Sequence, residues 1–154
     1  MWKCNFLVLN CKFFFSFICI SIISEALIWT SSLMLRMPMA TCIAQGVTLL
    51  GICAGLSGMA VGLGAMYPNF KDDNPSKIVS GFGGTLNLVL NIAFVFLCVA
   101  VQAAPLVLRY TKLPVYLSGF NNIPVAILLV MSISIIACVI PLRMGMNAFR
   151  KLEI

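Results

Sequence analysis

The chain contains no histidine, and its only acids are Glu25, Asp72, Asp73 and Glu153. These absences exclude a Ser-His-Asp triad and a histidine-bearing metal site assembled from this chain alone. Charged residues make up 9% of the 154 positions, whereas a water-soluble domain carries about a quarter. Apolar residues make up 62%, and mean hydropathy is +1.09. A composition this poor in charge cannot build a water-facing surface, so the chain is read as a membrane protein. At about 20 residues per crossing, four crossings use most of the chain and leave no room for a separate soluble domain. The seven cysteines (Cys4, Cys11, Cys19, Cys42, Cys53, Cys98, Cys138) are odd in number, form no CxxC pair and mostly fall inside apolar runs. They read as unpaired buried thiols, not as a disulfide or zinc framework. Neither catalysis nor a cofactor is expected of this chain. The formal charge of +6 comes from basic residues at the ends of apolar runs, which points to topology signals and lipid-headgroup contacts, not to nucleic acid.

Four apolar stretches are long enough to cross a bilayer, and they predict an all-α integral membrane bundle forming one domain over residues 1–154. The first runs from about Phe13 to Leu35, between Lys12 and Arg36, and is broken only by Glu25. Met1 to Ser24 can also be read as a signal peptide, but no A-x-A cleavage site follows, which favours an uncleaved span. The second, about Cys42 to Met66, carries no charge and meets Tyr67-Pro68, where proline disfavours a helical residue before it. The third, about Phe82 to Leu108, closes on Arg109, and the fourth, about Ile123 to Leu142, closes on Arg143. With both termini cytoplasmic, that face holds seven basic residues (Lys3, Lys12, Lys71, Lys77, Arg143, Arg150, Lys151) against three outside (Arg36, Arg109, Lys112). Basic residues are retained inside, so a multi-pass protein of the cytoplasmic membrane is expected. The segment from Arg143 onward can continue the fourth helix into the headgroup region, its basic side chains snorkelling.

Chemistry has few places to sit. Gly51, Gly55, Gly58 and Gly62 are spaced by four, three and four residues, which places them on one helical face where another helix can approach closely. Plain helix association accounts for such a face; a surface that slides during transport is the sharper reading. Asn87, Asn91 and Gln102, with Cys98, share a stripe of the third span. Amides lose their hydrogen bonds among lipid tails, so the stripe either bonds helix to helix or lines a path for a polar substrate. Glu25 is the only acid inside a span, and an acid at that depth is costly unless it is paired, protonated or near water.

The longest polar connector, Tyr67 to Thr85, has dense turn chemistry. Asn74 followed by Pro75 is a helix start, predicting a short helix from Pro75 to about Ser80. Gly81, Gly83 and Gly84 permit a change of direction into the third span. A phosphate loop is not expected at Gly81 to Thr85, because the lysine it requires before Ser or Thr is absent and no strand precedes it. Asp72, Asp73 and Lys77 give the connector charge on the cytoplasmic face.

The run Gly62 to Leu86, GLGAMYPNFKDDNPSKIVSGFGGTL, resembles a stretch near the C-terminus of permease subunits of bacterial ABC exporters. The likeness is strongest over residues 58–90, extends more loosely from about Leu33 through the last span, and leaves the first 25 residues unmatched. It implies a C-terminal portion of a longer permease, export driven by an ATPase in a separate chain, and contact with that ATPase through Asp72, Asp73, Asn74, Pro75, Lys77, Gly81, Gly83 and Gly84. Membrane lipid, the ATPase and further membrane helices or a second copy are the partners expected. Two other classes remain open: a small non-transporting assembly subunit held by the glycine face, and a proton-coupled carrier using Glu25.

Overall fold

The computed structural model describes the backbone of residues 2–66, 82–111 and 123–152. Four helices account for nearly all of it: α1, Trp2–Met34; α2, Met39–Met66; α3, Phe82–Thr111; and α4, Ile123–Leu152. No strand occurs among the described residues. The fold is all-α. Each helix contains a stretch long and apolar enough to cross a membrane, Leu7–Met34, Met39–Met66, Gly83–Pro105 and Pro124–Asn147. Helix α1 begins well before Phe13, and α4 continues past Arg143 to Leu152, because a helix does not stop where its hydrophobic stretch stops. The segment containing the expected short helix Pro75 to Ser80 lies outside the described residues.

Helix α1 ends in a left-handed residue, Arg36, at φ 49°. Around it the Met37 N–H donates to the Ser32 carbonyl at 3.2 Å and the Arg36 N–H to the Leu33 carbonyl, also at 3.2 Å. This pair of bonds is a Schellman cap, which satisfies carbonyls the helix end would otherwise orphan. The chain then reverses within four residues. The Pro38 carbonyl accepts from the N–H groups of Thr41 at 2.9 Å and Cys42 at 3.3 Å, and so starts α2. Proline stands here just before the helix, where its missing N–H removes no intrahelical bond.

Helix α2 is the central element and packs against each of the other three. Its partners along α4 advance in step: Gly51 faces Met131, Gly55 faces Ser134, Gly58 faces Cys138, and Gly62 faces Pro141. Both series rise together, so α2 and α4 run parallel. The buried apolar cluster comprises Met59 and Leu63 of α2, Phe94 and Cys98 of α3, and Val130 of α4. Much of the rest of the interior is small or polar, with Thr48, Ser57 and Ser134 almost fully enclosed. Large apolar side chains, such as Ile22, Leu33, Leu88, Phe96, Leu128 and Ile135, project outward. That inversion suits a bundle in lipid: hydrocarbon solvates leucine as well as a protein core does, so helices associate through small residues and close packing.

Candidate functional site

The glycine face of α2 is a close seam with α4. A β-carbon at Gly58 would stand 2.7 Å from both Cα and Sγ of Cys138, and one at Gly62 would stand 2.5 Å from the Pro141 carbonyl oxygen. From the other side, a β-carbon at Gly145 would stand 2.8 Å from the Gly62 carbonyl oxygen. The two backbones therefore meet with no side chain between them at this end. Farther along, Gly55 makes room for the ring of Phe94, at 2.6 Å, and Gly51 for the Met131 sulfur. Gly64, on another side of α2, would meet nothing within 4 Å. Pro141 has no N–H to return to the preceding turn of α4. The α4 half of the seam, Ser134, Cys138, Pro141 and Gly145, repeats the four-three-four spacing of the glycines; that echo was the available signal, and a search for glycines alone passes over it.

Beside the seam, α2 and α4 leave an open apolar groove of about 410 Å³, lined by Val47, Leu50, Ala54, Met131, Ile135 and Val139 among others. Ala54 thus borders space, not backbone.

The amide stripe of α3 bonds within its own helix. Asn91 Nδ2 donates to Asn87 Oδ1 at 3.0 Å, one turn away, while Asn91 Oδ1 is buried without a hydrogen-bond partner. Gln102 is half-buried on the same helix, and Cys98 is fully enclosed. Among the described residues no cross-helix bond ties these amides to α2 or α4.

Glu25 lies at the seam between α1 and α2. Trp29 Nε1 donates to its Oε2 at 3.1 Å, and the carboxylate rests against Gly46, where a β-carbon would stand 3.2 Å from Oε2. Glu25 Oε1 and the neighbouring Ser21 Oγ are buried without partners. Gly46 has no visible role in the sequence; its meaning comes from the α1–α2 hairpin, which brings it level with Glu25.

Of the connector residues, Asp72, Asp73, Asn74, Pro75, Lys77 and Gly81 lie outside the described residues. Gly83 and Gly84 lie in the first turn of α3, and no described glycine has a positive φ. No group of three or more His, Cys, Asp or Glu placed to hold a metal occurs among the described residues.

A family described as "Putative ATP-binding cassette" matches residues 5–154, nearly the whole chain. The chain belongs to this family. No curated protein and no solved structure matches it. The family's description names an ATP-binding cassette and not a permease, which corrects three expectations. The resemblance to a permease subunit of an exporter is set aside, since it rested on about 30 residues and the family match spans the chain. The exporter function goes with it, as do the assembly-subunit and Glu25 proton-carrier alternatives. The expectation of a non-enzymatic chain with ATP hydrolysis in a separate partner also falls, because the match to a family named for ATP binding is on this chain itself. Apolar runs show that the helices are long and apolar enough to cross a membrane, but they do not say which component of a transport machine those helices belong to.

The family implies ATP, and the described residues do not fit it. A phosphate cradle of the usual kind needs a strand, a glycine-rich loop and a lysine directly after a glycine. No strand is described, and none of the six lysines in the sequence follows a glycine.

Proposed function

We propose that this chain is the lipid-embedded helical part of ATP-binding-cassette transport machinery, oriented with both termini on the cytoplasmic side of the membrane. The observation that carries the reading is the set of four apolar helices, each long enough to cross, whose interior is packed through glycine, serine and cysteine and whose bulky aliphatic side chains face outward. A water-soluble ATP-binding domain has the opposite arrangement. Membership of the ATP-binding-cassette family supports the link to transport machinery. The parallel course of α2 and α4, with α1 turned back on α2, agrees with an even number of crossings, and the basic residues favour the cytoplasm for the ends. Within the machinery, the charged stretch Asp72, Asp73 and Lys77 is the contact surface we assign to other components, and further helices or a second copy pack on the outward apolar faces.

The test is in two parts. Membrane fractions from expressing cells are washed at alkaline pH, and the chain is expected to stay in the pellet; release into the wash would end the lipid-embedded reading. The purified chain is then exposed to a photoreactive azido-ATP with and without excess ATP. Labelling suppressed by ATP would locate nucleotide on this chain outside the described residues, whereas absence of labelling would remove ATP binding from its role and leave the embedding intact.

A further inference from the structure

The open groove beside the α2–α4 seam has a definite length, an apolar wall and a cation beyond one end. Val47, Leu50 and Ala54 of α2 and Met131, Ile135 and Val139 of α4 line its volume of about 410 Å³. Val47, Leu50, Ile135 and Val139 are exposed along it, whereas Ser134, at 2% exposure, lends it almost no polar surface. The lined stretch covers about 10 Å of α2, from Val47 to Ala54, and about 12 Å of α4, from Met131 to Val139, at 1.5 Å per residue. A further helix crossing the membrane beside α2 and α4 would call for a face about 30 Å long, the full hydrocarbon thickness. The groove is close to the depth of one leaflet, about half of that.

Arg143 follows Val139 by four residues, about 6 Å along α4, which keeps it on the same side of the helix. It is exposed. Pro141, two residues before it, faces Gly62 near the Met66 end of α2, which is the cytoplasmic end in the orientation proposed above. Glu25 is the only acid whose side chain is among the described residues. It rests against Gly46, about 24 Å from Gly62 along α2 at 1.5 Å per residue. Among the described residues, therefore, no carboxylate answers Arg143.

We propose that this groove seats one acyl chain of an anionic phospholipid of the cytoplasmic leaflet, with the lipid phosphate against Arg143. Length sets the occupant, because the groove is as deep as a leaflet and not as a membrane. The wall agrees: a hydrocarbon chain lying between branched side chains of two helices gains dispersion contacts and leaves no polar group unpaired. Charge sets the headgroup. A guanidinium takes phosphate oxygens in paired, charge-assisted hydrogen bonds, and an unanswered cation at the membrane surface favours a lipid of net negative charge over a zwitterionic one.

This inference rests on the lipid embedding proposed above and is independent of any link to ATP. The experiment takes protein already recovered from alkaline-washed membranes, so a failure of embedding appears at that step and a failure of the site only afterwards. Both native tryptophans, Trp2 and Trp29, are replaced by phenylalanine. One reporter is then introduced, Ile135→Trp at the groove or Phe96→Trp on the outward side of α3. In neutral detergent each protein is titrated with phosphatidylglycerol or phosphatidylcholine carrying brominated acyl chains, which quench tryptophan on contact. Saturable quenching of the Ile135→Trp reporter by phosphatidylglycerol is expected, with only a weak, unsaturable response from Phe96→Trp. Adding Arg143→Gln should raise the phosphatidylglycerol midpoint roughly three- to tenfold and leave phosphatidylcholine unchanged. Adding Ala54→Leu, which fills the groove, should abolish the saturable part. Equal quenching of the two reporters, an unaltered midpoint in Arg143→Gln or an unaltered response in Ala54→Leu would each overturn the site. So would an unquenched Ile135→Trp reporter in a particle of doubled mass on sedimentation, which would give the groove to a second copy of the chain.

Discussion

Gly62 of α2 and Pro141 of α4 meet backbone to backbone, close enough that a β-carbon on Gly62 would lie 2.5 Å from the Pro141 carbonyl oxygen. Neither atom belongs to a flexible side chain, so a methyl group there is accommodated only by moving a helix. Gly62→Ala should therefore destabilise the bundle by about 1–3 kcal/mol, the usual range for overpacking, and Gly58→Ala, which meets the Cys138 backbone, should behave alike. Gly64→Ala enters open space and should be neutral or stabilising by up to about 1 kcal/mol through helix propensity. Thermal unfolding in detergent, followed by circular dichroism, compares the three; equal midpoints would show that the seam is not close-packed.

The seam is graded along its length. At Gly51 the obstructing atom is the sulfur of Met131, near the end of a side chain with several rotatable bonds. Gly51→Ala is expected to cost less than half of what Gly58→Ala costs in the same assay. Ala54→Leu, which enters the groove beside the seam, should be tolerated. A Gly51→Ala loss as large as that of Gly58→Ala would mean that α4 is rigid against side-chain adjustment as well.

Arg36 occupies the left-handed position of the α1 cap. That conformation strains any residue with a β-carbon, by roughly 1–2 kcal/mol, and glycine removes the strain. Arg36→Gly should protect the amides of Leu35, Arg36 and Met37 more strongly in hydrogen exchange. Faster exchange at these three positions would show that the side chain of Arg36, and not the turn, holds the cap.

Asn91 Nδ2 donates to Asn87 Oδ1 along α3, and removing Asn87 strands that donor. Asn87→Leu alone should destabilise by about 1–3 kcal/mol, the cost of an unpaired buried amide. The double change Asn87→Leu, Asn91→Leu should recover most of that loss, since Asn91 Oδ1 already lacks a partner. Failure to recover would point to a contact of these amides with something outside the chain.

Orientation is checked by placing a single cysteine at Asp73 in a background without the native thiols. A membrane-impermeant maleimide should modify it only after permeabilisation. Labelling in intact cells would invert the bundle.

Composition alone determined that this chain is helical and suited to lipid: with 9% charge and four long apolar stretches, α-helices are the way to satisfy the backbone in hydrocarbon. The spacing of Gly51, Gly55, Gly58 and Gly62 also determined that one face of α2 is bare, because helix periodicity is a local property. Which helix would cover that face was not legible. Only the tertiary structure set Cys138 and Pro141 of α4 against it and brought Gly46 to the carboxylate of Glu25. The physical reason is common to both. Local pattern states what a face is like, whereas its partner depends on how the helices are arranged together, and in lipid, where hydrophobicity does not sort one helix from another, that arrangement is decided by close packing.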